Sequence, residues 1–251
     1  MLRTLSLITL AAIMLANPAV GADLKVTSAG AVRGLMARII DDYSRQTGQK
    51  FEFTVGTTGQ LRAIINSGFP ADLIITSAPL MGELEKTGNI TNRTDLGRVG
   101  LGIAVRDGAD VPDVTTPDGF KKTLMDAPRI ADVDPTSGPV YGSHLTGVYQ
   151  NLGIADVVLK KSVMQIGGKE VAEAVANGTA EIGVAFISEI IPIRGARLVG
   201  PFPPALQGYT VYTAAIPKAS TDPAAARAFI EALVSSAMAR RWTEAGFEAP
   251  R

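Results

Sequence analysis

Four short stretches of the sequence combine glycine with small or hydroxyl side chains. They are Ser28-Ala29-Gly30-Ala31, Gly56-Thr57-Thr58-Gly59-Gln60, Thr136-Ser137-Gly138-Pro139 and Gly167-Gly168-Lys169. Each stands just ahead of a run with helical spacing. The first turn of a helix leaves backbone N–H groups without partners and carries partial positive charge. Glycine lets a ligand approach that backbone, and serine or threonine adds a donor. Such turns hold an anion without a formal cation. Any one of them is equally a plain helix cap. Four together point to one shared ligand, with Ser28, Gly30, Thr57, Thr58, Gly59, Ser137, Gly138 and Gly168 as its candidate contacts.

Other reactive side chains lie close to these turns. His144 is the only histidine and follows the third turn, with Tyr141 three residues earlier. That spacing puts both on one helical face, where they would bind a carboxylate or move a proton. Taken alone, His144 is equally a packed or surface histidine. Arg33, Arg62 and Lys169 also neighbour the turns. Two or more of these cations facing the ligand would select a multiply charged organic acid over a small oxyanion. No turn ends in the Gly-Lys-Ser/Thr of a phosphate loop, and there is no Gly-x-Gly-x-x-Gly fingerprint. With no cysteine and one histidine, thiolate and multi-histidine metal sites are excluded, and no cofactor is expected.

The elements that must position these residues alternate. Residues 24–27, 51–55 and 73–76 read as strands, with helices at 32–46, 61–66 and 79–86 between and after them. Residues 99–105 form a longer apolar strand. The scheme then repeats, with strands at 129–131, 162–164 and 182–186 and helices at 120–125, 141–152 and 169–177. A second long strand, 209–216, precedes helices at 223–234 and 237–245. This order implies an α/β fold with a mostly parallel sheet covered by helices. Ligands of such sheets sit beyond the carboxyl ends of the strands, where the four turns lie. The two long strands predict crossovers between two lobes, residues 23–103 plus 213–251 and residues 104–212. The last two helices have no strand left to follow, so they must cover a sheet built earlier.

Residues 1–22 stand apart. A short positive start, an apolar stretch over residues 5–15 and small residues ending in Val20-Gly21-Ala22 predict a secretory signal peptide cleaved after Ala22. The apolar stretch is shorter than the ~20 residues of a spanning helix. The mature protein is thus expected in the periplasm and not embedded in the membrane. The 24 basic residues equal the 24 acidic ones, so no electrostatic footprint suggests nucleic acid as a partner.

From residue 23 onward the chain resembles the periplasmic molybdate-binding family, the type II periplasmic solute-binding proteins. The resemblance rests on Gly56-Thr57-Thr58-Gly59-Gln60-Leu61, on Pro70-Ala71-Asp72-Leu73-Ile74-Ile75-Thr76-Ser77, on Asp134-Pro135, on Glu181-Ile182-Gly183-Val184 and on Ala245-Gly246-Phe247. It implies two α/β lobes on a two-strand hinge and capture of a small anion by cleft closure. It also implies delivery to an ABC-transporter permease, by a protein expected to be monomeric. The family's oxyanion donors would fall on Thr58, near Ala31, near Val140 or Tyr141, near Gly168 and on Phe186. Ala31 and Phe186 lack the hydroxyl that the pattern calls for, and Ser28 is the substitute nearest Ala31. The anion is therefore a molybdate-like oxyanion or an organic acid. A second reading follows from aconitate isomerase, a periplasmic enzyme similar to this same family. Moving a double bond needs a base and an acid, for which Tyr141 and His144 are the candidates, with Arg33, Arg62 or Lys169 holding carboxylates.

Overall fold

The computed structural model describes residues 23–68, 70–135 and 141–250, Asn92 by its backbone alone. The expected leader and the candidate contacts Ser137 and Gly138 lie outside the described residues.

The chain begins with β1 (Leu24–Ala29), a 3-10 turn (Gly30–Val32) and α1 (Arg33–Thr47), followed by β2 (Phe51–Gly56), α2 (Thr58–Asn66), β3 (Leu73–Ser77) and α3 (Ala78–Lys86). The long β4 (Ile90–Arg106) leads to α4 (Pro117–Asp126), β5 (Ile130–Val133), α5 (Gly142–Asn151), α6 (Ala155–Lys161), β6 (Ser162–Gln165) and α7 (Gly168–Ala176). Then come β7 (Ile182–Phe186), α8 (Ile187–Ile190), β8 (Ala196–Pro201), β9 (Tyr209–Pro217), α9 (Pro223–Leu233), α10 (Ser236–Glu244) and β10 (Phe247–Glu248).

The strands run β2-β1-β3-β9-β4-β7-β5-β6, with β8 and β10 also paired to β4. The fold is α/β and two-lobed, and β4 belongs to both halves of the sheet. Its residues from Ile90 to Gly100 pair with β9, and those from Leu101 to Val105 pair with β7. Within each half the β/α units give parallel pairs, β1 with β2 and β3, and β5 with β6 and β7. The expectation of a mostly parallel sheet is corrected at the centre. There β4 pairs antiparallel with β7 and β9, and β9 with β3. The reason is topological: β4 carries the chain out of the first half and β9 brings it back.

Burial explains why these segments are strands and helices. All five residues of β3 and of β7 are buried, as expected of strands covered on both faces. Helix starts are fixed by caps: the Thr116 hydroxyl accepts from the Gly119 N–H, with Pro117 opening α4, and Asp222 does the same for α9. The last helices pack on residues from the start of the chain. Phe229 of α9 lies 5.0 Å from Tyr43 and 4.9 Å from Phe51, ring to ring. Asp72, only 2% exposed, accepts hydrogen bonds from the Lys25 N–H, the Ser220 and Thr221 hydroxyls and the Thr221 N–H. Burial works against that charge, but these donors outweigh it and hold the Asp72 carboxyl below its ordinary value. Among the described residues, no helix is long and apolar enough to cross a membrane.

Candidate functional site

The turn between β2 and α2 does two jobs with adjacent threonines. Thr57 is the N-cap: its hydroxyl accepts from the Gln60 N–H, and the Gln60 side chain accepts from the Thr57 N–H at 2.8 Å. This reciprocal capping box occupies Thr57 and Gln60. Thr58 opens the helix, so its N–H has no partner within α2, and Thr58 lines a cavity of about 80 Å³. Thr57 and Gln60 line the same cavity while serving the cap, so capping and a place at the cavity are not alternatives.

The same cavity collects residues from distant elements. Gly30 and Ala31 reach it from the turn after β1, and Arg33 from the start of α1. Opposite them are Gly168 and Lys169 at the start of α7, and Phe186 at the end of β7. Tyr141, just before α5, and Tyr212 of β9 also line it. The rings pack edge to face, Tyr141 to Phe186 at 4.4 Å and Phe186 to Tyr212 at 6.2 Å between centroids. Lys169 forms an ion pair with Glu173 one turn along α7.

Two polar atoms in this cavity lack partners among the described residues. Tyr141 is 4% exposed, and its hydroxyl makes no hydrogen bond. Burial and the nearby Glu189 push this phenol well above its ordinary range, so it is a neutral O–H. Glu189 is half-buried as a residue, but its Oε2 is closed to solvent and unpaired. Burial, with the charge of Glu170 adding to it, pushes the Glu189 carboxyl up to about 7. Arg33 and the Gly168 and Phe186 amides oppose that rise.

The structure thus brings Gly30, Thr57, Thr58, Tyr141, Gly168, Lys169 and Phe186 to one place, with Arg33 beside them. Other expected contacts face elsewhere. The Ser28 hydroxyl, fully buried, donates to the Ala29 carbonyl at 3.3 Å. Gly59, within α2, does not line the cavity. Arg62 makes a two-pronged ion pair with Glu83, both contacts at 2.9 Å. His144 contacts the Leu206 carbonyl at 2.9 Å and packs against Gly208. Its proposed partnership with Tyr141 is not formed: Tyr141 lines the cavity, while His144 is held by Leu206 and does not. Sequence reasoning overlooked Glu189 and Tyr212. The signal for Glu189 was a lone acid within the apolar run 184–191, at the carboxyl end of a strand.

The sequence pattern of the bacterial extracellular solute-binding proteins matches residues 24–248. This chain belongs to that family. An aconitate isomerase from Pseudomonas sp is 31% identical to this family member over 234 residues, covering 90% of this chain and 87% of that protein. The periplasmic molybdate-binding protein of Azotobacter vinelandii shares its fold with a TM-score of 0.77 at 22% identity, covering 91% of this chain and 100% of that one. The sulfate-binding protein SubI of Mycobacterium tuberculosis H37Rv gives 0.70 at 16% identity, covering 91% and 87%.

Proposed function

We propose that this solute-binding protein captures a small organic-acid anion in the cavity beside Thr58, Arg33, Gly168 and Lys169, and delivers it to an ABC-transporter permease. One observation carries the reading: two cations, Arg33 and Lys169, and the helix starts of α2 and α7 converge on a cavity where Ala31 and Phe186 offer no hydroxyl. A tetrahedral oxyanion held by neutral donors would miss those hydroxyls. A ligand with several carboxylates gains from separated cations and needs fewer hydroxyls. The accompanying organisation is a leader of residues 1–22, a periplasmic location and a monomer. Its lobes are residues 23–103 plus 213–251 and residues 104–212, closing on the anion. Thermal melts with molybdate, tungstate, sulfate, citrate, cis-aconitate and trans-aconitate test this. A tricarboxylate at about 100 times its Kd adds about 2.7 kcal/mol, a rise of roughly 5–10 °C for a protein of this size. A rise with molybdate alone, or with none of the six, rejects the reading.

A second reading is favoured by the 31% identical aconitate isomerase: the cavity interconverts cis- and trans-aconitate. Removing a proton from one carbon and returning one to another needs an acid and a base. Tyr141 borders the cavity and His144 does not, so Glu189 beside Tyr141 takes the place first given to the histidine. Incubation with trans-aconitate and chromatography for the cis isomer decides between the readings. Product formed by the wild type and lost in Tyr141→Phe favours the isomerase; no product leaves capture alone.

A further inference from the structure

The Glu189 carboxyl occupies a particular place in the cavity. A Cβ built on Gly168 would stand 2.1 Å from its Oε2, and one built on Gly30 would stand 3.3 Å from its Oε1. The carboxyl therefore lies against the start of α7 on one side and the turn after β1 on the other. A side chain at position 168 would push the carboxyl out of this place. The surrounding groups are Glu170 and Lys169 of α7, Arg33 of α1, Tyr141 before α5 and Tyr212 of β9. Oε2 has no hydrogen-bond partner, and neither has the Tyr141 hydroxyl.

An anion entering this cavity brings a second negative charge beside a buried carboxylate. Two like charges sharing a poorly solvated site do not both stay ionised. We propose that the anion is bound with uptake of one proton by Glu189, whose neutral carboxyl then donates a hydrogen bond to a carboxylate oxygen of the ligand. The proton comes from solvent, and no bond of the ligand breaks. Glu189 thereby supplies an O–H donor in a cavity where Ala31 and Phe186 supply none. It also makes the site selective for ligands that present an acceptor there. The raised protonation range of Glu189, set by burial and Glu170 against Arg33 and the Gly168 and Phe186 amides, agrees with this geometry. The inference rests on the anion-capture reading and deepens it.

Calorimetric titration of citrate and of trans-aconitate into the exported chain, near pH 8 in two buffers of different ionisation enthalpy, measures the proton count. The wild type is expected to take up about one proton per anion, and its affinity to fall by up to about tenfold per pH unit above 7. Glu189→Gln keeps an N–H donor and is expected to bind with no uptake and a flat pH profile. Binding by the wild type without uptake overturns the proposal alone, as does unchanged uptake in Glu189→Gln, which would put the proton on the ligand. Binding of neither probe overturns the capture reading and this proposal with it. Should Glu189→Gln not fold, infrared difference spectra of the wild type decide the matter. A protonated-carboxyl band appearing with the anion supports the proposal, and its absence refutes it.

Discussion

Replacing Glu189 by glutamine is expected to make the protein more stable at neutral and alkaline pH. Burial raises the Glu189 carboxyl from its ordinary 4.5 to about 7. The folded protein therefore keeps a proton that the unfolded chain gives up. Stability from this group is fully present below the unfolded value and is lost as pH rises through the folded one. The rise from 4.5 to about 7, at about 1.4 kcal/mol per pH unit, makes the full loss about 3 kcal/mol. Glutamine has the same shape and no proton to lose, so the mutant escapes the penalty. Asp132, pushed up to about 6 by burial, contributes the same slope to both proteins and cancels in the difference. Urea unfolding of both proteins, at intervals from about pH 4 to pH 8, reads the effect directly. The stability of Glu189→Gln relative to wild type should climb by about 3 kcal/mol across that range, or roughly 6–12 °C in Tm. Stability curves that stay parallel would refute the assignment of a buried carboxyl with a raised protonation range to this position.

Three further outcomes are expected. Arg33→Ala and Lys169→Ala should each weaken tricarboxylate binding by about 10-fold or more, whereas Arg62→Ala and His144→Ala, whose parents face Glu83 and Leu206, should leave it unchanged; calorimetry compares the four. Tyr149→Phe removes the hydroxyl that bonds the buried Asp132 carboxylate at 2.9 Å. It should cost about 1.5–3 kcal/mol at neutral pH and less below about pH 5, where Asp132 holds its own proton, as read by urea melts. Asp72→Ala leaves the Lys25 and Thr221 amides without their acceptor and should cost about 3 kcal/mol or more, while ligand affinity in the folded fraction is unchanged.

The strand and helix order could be read from the sequence wherever a full period of apolar residues was present. The β/α units of both halves fall into that class, and so do α9 and α10. The elements α8 and β10, with four and two residues, were too brief to show a period, and α6 and β8 also passed unnoticed. The first half of β4 was hidden for another reason. Residues 91–95 read Thr-Asn-Arg-Thr-Asp, a polar run that is a strand because it pairs with β9 through two register shifts. At the site, the turns were legible because helix starts have a composition, and Thr58, Gly30 and Gly168 line one cavity. Side-chain direction was not legible. Arg62 and His144 stand at suitable positions in the chain, yet the helices turn them to Glu83 and to Leu206. Glu189 escaped because an acid after a strand looks solvated until the fold closes Gly30 and Gly168 around it.

A multiply charged organic acid, rather than a tetrahedral oxyanion, is the proposed occupant of the cavity. Calorimetric titration of the protein with trans-aconitate and with molybdate, under one buffer and salt condition, decides between them. Saturable one-to-one binding of trans-aconitate is expected, weakened by about 10-fold or more in Arg33→Ala, with no heat from molybdate. Saturable binding of molybdate with none of trans-aconitate would contradict it.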